Sequence, residues 1–142
     1  MRVGDYMTKD PITVEEDASM KEAMLLLRAH HIRHLPVAMG KLLIGLVSDR
    51  DIKRAAPSIL SGIDKSEFEQ LMEDTPVSRI MTREPFTVSE NTPLIEAVQI
   101  LIEKKFGSLP VVDGKELVGI FTEIDALKVL LDTLNRSNAR AK

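Results

Sequence analysis

One sequence is written twice in this chain, in the same order and at a constant offset. Val3, Met7, Thr8, Pro11, Thr13, Val14, Glu22, Ala23 and Leu27 return as Val77, Met81, Thr82, Pro85, Thr87, Val88, Glu96, Ala97 and Leu101. Leu35, Pro36, Val37, Gly40, Lys41, Leu43, Gly45 and Asp51 return as Leu109, Pro110, Val111, Gly114, Lys115, Leu117, Gly119 and Asp125, every pair 74 positions apart (77 − 3) with no gap. A duplicated unit buries its apolar faces against its sister, and a cleft of near two-fold symmetry between the copies is the first place to expect function.

Length and composition bound the rest. At 142 residues, two half-size units each have barely enough interior to be stable alone, so they are expected to fold as one body. A hydrophobic fraction of 44% against 29% charged residues describes a soluble globular chain. The formal net charge of −3 argues against nucleic acid as the main partner, because phosphate neutralisation needs a basic surface. No run of about 18 apolar residues is present to cross a bilayer, and MRVGDYMTKDP lacks the apolar centre of a signal peptide, so no membrane role and a cytoplasmic location are expected. The absence of cysteine removes disulfides, thiol catalysis and thiolate metal sites.

Each copy reads as β-α-β-β-α. In the first, Ile12 to Val14 reads as a short strand. Met20, Ala23, Met24 and Leu27 then recur at helical spacing in a helix from Ala18 to about His31. LPVAM and LLIGLV flank a hairpin turn at Gly40-Lys41; in the second copy LPVV and ELVGIF flank a turn placed at Asp113-Gly114. A second helix starts after Ser48 and after Thr122, the later one running through Leu134 before a frayed basic tail. The resulting division is 1–56 for the first repeat, 57–76 for an insert, 77–135 for the second repeat and 136–142 for the tail. Within the insert, Asp64 followed by Glu67 resembles a capping box, Phe68, Leu71 and Met72 share one helical face, and Pro76 ends the helix.

Chemistry concentrates at the end of the last strand of each copy, in GLVSDRD (Gly45 to Asp51) and GIFTEID (Gly119 to Asp125). A hydroxyl three residues ahead of a carboxylate at a strand-to-helix junction is the pattern of an N-cap with its capping-box partner. The same residues suit a ligand. Ser48 and Thr122, with the amides of the first helical turn, can meet a phosphate, while each of Asp51 and Asp125 can accept both hydroxyls of a ribose cis-diol. Both roles can coexist. Elsewhere no carboxylate is matched with a nucleophile and a base, so no catalytic residue is assigned. His30 and His34 have metal-like spacing only if one helix runs through both, and Leu35-Pro36-Val37 reads as strand, so no metal site is assigned either.

The complete pattern resembles a tandem pair of CBS domains, the regulatory unit called a Bateman module. The residues that carry the resemblance are the VxxxMTxxPxTV opening, the LPVxxGKxLxG hairpin and the G-h-h-[ST]-x-x-D ending, with h apolar, each present twice in register over about 3–55 and 77–131. The resemblance implies an α/β fold of two CBS repeats packed through their small sheets with pseudo-two-fold symmetry, around a cleft for adenosine derivatives: AMP, ADP, ATP or S-adenosylmethionine. It assigns ribose binding to Asp51 and Asp125 and phosphate contact to Ser48 and Thr122. Adenine-lining positions fall at Ile12 and Phe86, at Ile32 and Phe106, and at Val37 and Val111. Ahead of the LPV strand, Arg33 and His34 become the phosphate-reading pair, opposite Gly107 and Ser108 in the second copy, and Arg50 faces Ile124. The resemblance further implies a homodimer formed through helices, with Ile100, Leu130 and Leu131 among the residues needing cover, and an effector protein to receive the signal. A tandem pair with no attached catalytic domain is not expected to catalyse anything and needs no obligatory cofactor. The competing expectation is a ligand-free dimerisation or protein-interaction scaffold, whose mark would be loss of the ribose aspartates.

Overall fold

The computed structural model describes residues 1–56 and 62–141. In chain order the elements are β1 (Thr8–Lys9), α1 (Met20–Ala29), β2 (His34–Met39), β3 (Leu42–Ser48), α2 (Asp49–Ala55), α3 (Lys65–Asp74), β4 (Thr82–Arg83), α4 (Leu94–Lys104), β5 (Ser108–Asp113), β6 (Glu116–Thr122) and α5 (Glu123–Ala141), with single 3-10 turns at Val3–Asp5 and Val77–Arg79. The chain is a mixed α/β fold of two repeats, and local signals account for each element. Ser19 caps α1 by accepting from the Glu22 amide (3.0 Å), after which Met20, Ala23 and Leu27 present one buried face. Both hairpins turn on a glycine in the left-handed region, Gly40 (φ 60°) and Gly114 (φ 63°). The second turn therefore occupies Gly114-Lys115, not Asp113-Gly114, because Asp113 still pairs with Glu116. Each hairpin bulges at one repeated place, after Val37 and after Val111.

Two compact units emerge, Pro11–Pro85 and Met1–Asp10 with Phe86–Lys142. In the unit Pro11–Pro85, β4 adds antiparallel to β3 (Gly45 opposite Arg83, Leu46 opposite Thr82), and β3 pairs with β2. Its core joins Met20, Leu27, Leu35, Val37, Val47 and Ile52 to Met72 of α3 and Val77 of the 3-10 turn. In the other unit β1 adds to β6 (Thr8 opposite Ile120, Lys9 opposite Gly119), and Val3 joins Leu94, Leu101, Leu109, Val111 and Phe121. The opening turn and short strand of each sequence copy thus complete the hairpin of the other copy. Methionine explains the fit. A β-carbon at Gly119 would lie 2.7 Å from Met7 Sδ and 2.9 Å from the Thr8 carbonyl oxygen, and one at Gly45 would lie 2.5 Å from Met81 Sδ. Only glycine leaves room for the crossing segment.

Several expected elements differ. Ile12 to Val14 forms no strand: Val14 makes a single bridge to Val37, donating its amide to the Pro36 carbonyl (3.1 Å) and accepting from the Ala38 amide (2.9 Å). Asp10 turns the chain at φ 47° and Pro11 has no amide to donate, which leaves one residue in register. α1 begins at Met20 and ends at Ala29, because Ser19 caps it and His31 takes the left-handed conformation (φ 53°). His30 is therefore its C-cap, and His34 begins a strand. The segment expected as a frayed tail from 136 continues α5 through Ala141, all of it exposed. Ile100 of α4 packs against the core, whereas Ile95 and Ile102 are the α4 residues left at 70% exposure. The insert helix forms as expected, Asp64 accepting from the Glu67 amide (2.8 Å) and Phe68, Leu71 and Met72 packing on the core. Residues 57–61 of the insert and Lys142 of the tail lie outside the described residues.

Candidate functional site

The hydroxyl–carboxylate pairs stand where strand becomes helix in both repeats. At the β3–α2 junction the Ser48 amide donates to Asp51 Oδ2 (2.9 Å) and the Asp51 amide donates to Ser48 Oγ (3.1 Å), a reciprocal capping box. At the β6–α5 junction the Thr122 amide donates to Asp125 Oδ2 (2.9 Å), the Thr122 hydroxyl donates to the same oxygen (3.1 Å), and the Asp125 amide donates to Thr122 Oγ1 (3.3 Å). In both, the cap consumes Oδ2 and leaves Oδ1 able to accept from outside. The two sites differ in depth: Asp125 is 4% exposed and Asp51 half-buried. A carboxylate already held by one bond in Asp51 and by two in Asp125 is partly oriented, so a diol meeting it loses less further entropy.

Hairpin register brings a second group of residues beside each pair. His34 stands opposite Ser48 across the ladder, and the Asp49 amide donates to the Arg33 carbonyl (3.0 Å). In the other repeat Ser108 stands opposite Thr122, and the Glu123 amide donates to the Gly107 carbonyl (3.1 Å). The residues ahead of the LPV strand are thus neighbours of the hydroxyl–carboxylate pair in both units. Arg33 is exposed and, among the described residues, its guanidinium has no hydrogen-bond or carboxylate partner; Arg50 is exposed as well, and His34 is half-buried. No cation matches them at Gly107, Ser108 and Ile124. Ser108 instead buries a hydroxyl that has no hydrogen-bond partner, the one such side-chain atom among the described residues. Leaving it so costs about 1–3 kcal/mol, which a bound polar group would recover.

The apolar residues divide less evenly. Val37 and Val111 are buried in their cores, each opposite a glycine, Gly45 and Gly119. Ile12 and Ile32 are half-buried and packed against the first core. Phe86 and Phe106 face each other with ring centroids 6.3 Å apart at 46°, yet remain 47% and 37% exposed. A tilted aromatic pair at the surface is a ready wall for a planar base. The sequence reading did not foresee that Met7 and Met81 are seated on Gly119 and Gly45; their shared offset with those glycines was the available signal.

Comparisons with known proteins identify the family and the fold. The CBS domain family matches the chain twice, over residues 3–58 and 77–132. A CBS domain-containing protein of Dictyostelium discoideum is 31% identical over 134 residues, covering 93% of this chain and 92% of that protein. The crystal structure of CBSX2 in complex with AMP, a protein known from Arabidopsis thaliana, superposes with a TM-score of 0.75 at 32% identity, over 93% of this chain and 97% of that one. The CBS domain pair of protein MJ0100, in complex with 5′-methylthioadenosine and S-adenosyl-L-methionine, superposes with a TM-score of 0.77 at 27% identity, over 94% and 98%.

Proposed function

This chain belongs to the CBS domain family, and we propose that within it the chain serves as a non-catalytic sensor of an adenosine-based ligand, AMP, ADP, ATP or S-adenosylmethionine. The observation that carries the reading is the duplicated hydroxyl–carboxylate pair, each with one carboxylate oxygen spent on the cap and one left to accept. Asp51 and Asp125 take ribose hydroxyls; Ser48 and Thr122 approach the phosphate or sulfonium end. Arg33, His34 and Arg50 provide the electropositive side of one repeat, and the unpaired Ser108 hydroxyl with Gly107 provides neutral donors in the other. Ile12 and Ile32 in one unit, and Phe86 and Phe106 in the other, each offer an apolar wall to a base, whereas Val37 and Val111, fully buried, back those walls from inside their cores instead of lining the ligand. That two superposable CBS pairs hold AMP and S-adenosylmethionine supports this class of ligand.

Signalling follows from where the carboxylates sit. Each opens a helix, α2 or α5, so a ribose that engages the carboxylate acts on the cap that starts that helix. A ligand shifts a conformational equilibrium only by its differential affinity for the two states, and a cap that differs between them provides it. The output passes to an effector protein or a second copy, with the cytoplasm as the setting. The test is a thermal-shift panel of AMP, ADP, ATP, S-adenosylmethionine and NAD. At a ligand concentration 100 times Kd the native state gains about 2.7 kcal/mol, a clear rise in Tm. No shift with any adenosine ligand at millimolar concentration overturns the reading and favours the scaffold.

A further inference from the structure

Helices α1, α2 and α3 enclose a groove that the nucleotide reading does not use. Its volume is about 340 Å³, and α1 turns Lys21, Met24, Leu25 and Arg28 toward it, the i, i+3, i+4, i+7 stripe of one helix. Phe68 and Met72 of α3 and Ile52 of α2 supply the remaining apolar wall. The groove exists because the insert helix lies over α1 without closing on it: Lys21 donates to Glu73 (2.9 Å) at one end, and Met72 is buried between them.

Charge differs along the groove. At the α3 end, Lys21 is held by Glu73 and lies near Glu69, so that end is neutralised. Arg28 and Lys53 mark the other side, and Arg28 has no carboxylate partner among the described residues, while Lys53 reaches Asp49 only at 4.0 Å. A slot with apolar walls and one uncommitted guanidinium is complementary to a molecule with an apolar body and a single anionic head. The volume sits at the small end of ligand pockets, the size of one small molecule. Two methionines and a phenylalanine in the wall adapt to a flexible aliphatic chain without a fixed shape.

From these observations we infer that the α1–α2–α3 groove is a binding site for a free long-chain aliphatic carboxylate, its chain along Met24, Phe68 and Met72 and its head on Arg28. The inference is independent of the nucleotide site, and the experiment separates the two. Full-length protein labelled with methyl-13C methionine is titrated with dodecanoate below its micelle concentration. The methyl signals of Met24 and Met72 should shift and saturate at one equivalent per chain, while those of exposed Met1 and Met39 stay in place. Arg28→Ala should weaken dodecanoate about tenfold and Arg28→Lys should restore most of it, with dodecanol and dodecyltrimethylammonium binding wild type no better than dodecanoate binds Arg28→Ala. AMP at millimolar concentration should leave the dodecanoate titration unchanged. Shifts at all methionines together, equal affinity for the cationic amphiphile, or an unaltered Arg28→Ala isotherm would each overturn the site. So would Met24 and Met72 shifts that follow protein dilution and vanish in Leu25→Glu, which would make a second copy the occupant, or binding only to phospholipid vesicles, which would make it a membrane surface.

Discussion

At the scale of the residue, the decisive question is how much of each aspartate is spent on its helix and how much on a ligand. Replacing a cap costs about 1 kcal/mol of stability, and removing a charged acceptor from a ligand costs about 1.5–3 kcal/mol of binding. Asp51→Ala and Asp125→Ala should therefore lose more nucleotide affinity than stability, measured by calorimetry beside denaturant unfolding. Asp125→Ala should unfold the more easily of the two, since its carboxylate is buried and leaves both the Thr122 amide and hydroxyl without their acceptor. Unchanged binding in the double variant would reduce both pairs to caps. Arg33 offers a sharper discrimination, because its guanidinium is uncommitted and its counterpart in the other repeat is a glycine. Arg33→Ala should weaken AMP, ADP or ATP about tenfold, near 1.4 kcal/mol, and leave adenosine nearly untouched, with two unequal sites in the wild-type isotherm. Equal losses for adenosine and AMP would mean that Arg33 shapes the pocket instead of reading phosphate. His34 stands opposite Ser48 only because the bulge after Val37 shifts the hairpin register by one, but the Ser48–Asp51 and Thr122–Asp125 pairs were legible in the sequence because a strand-to-helix junction is local. The unpaired Ser108 hydroxyl and the Phe86–Phe106 contact were not, since burial and ring geometry depend on side chains distant in sequence.

At the scale of the element, the 74-residue offset predicted both hairpins and both long helices, and it misled where one copy finishes the other. Periodicity places Thr8 with the first copy, yet β1 pairs with β6; nothing in a period of two or 3.6 says which strand edge will receive a two-residue segment. The glycines do say it, in retrospect, since Gly45 and Gly119 each sit under a methionine from the crossing strand. Gly119→Ala should lower unfolding free energy by about 1–3 kcal/mol through overpacking, and Met7→Ala in the same chain should recover part of that loss. Additive losses measured by chemical denaturation would show that Met7 is not what Gly119 accommodates. The insert helix poses a different test. Lys21 has its pKa raised by its hydrogen bond and charge contact with Glu73, so the stability this pair contributes is fully present below the ordinary lysine pKa of 10.5 and disappears as pH rises through the higher folded value. Amide exchange in α3 should accordingly become faster relative to α1 at strongly alkaline pH, and Lys21→Met should abolish that difference. The pair is exposed, so the effect is small.

For the whole molecule, the question is what covers the helices that neither core uses. On α5 Ile124, Leu127, Leu131 and Leu134 form a continuous stripe at helical spacing, each more than half exposed, and Leu130 lies beside it. On α4 of the same unit Ile95 and Ile102, seven residues apart on one face, are 70% exposed. The opposite side of α5 is committed inward: Asp125 is buried, Ala126 and Val129 pack on the core, and Asp132 accepts from the Tyr6 hydroxyl (3.2 Å). Monomeric proteins rarely leave apolar stripes of this length to water, and an identical chain carries an identical stripe, the self-complementary surface that a two-fold interface requires. We therefore expect a homodimer, with a light-scattering mass of twice the 15.8 kDa chain at tens of micromolar. Leu127→Glu and Leu131→Glu should each place a charge in the seam and shift the mass to that of one chain, with little change in the stability of the unit, because both side chains are exposed in the single chain. Ile100→Glu should behave differently, destabilising the fold itself, since Ile100 packs on the core. A mass near 15.8 kDa for the wild-type protein would remove the dimer. A dimer that survives both leucine substitutions would place its interface on some other face of the chain.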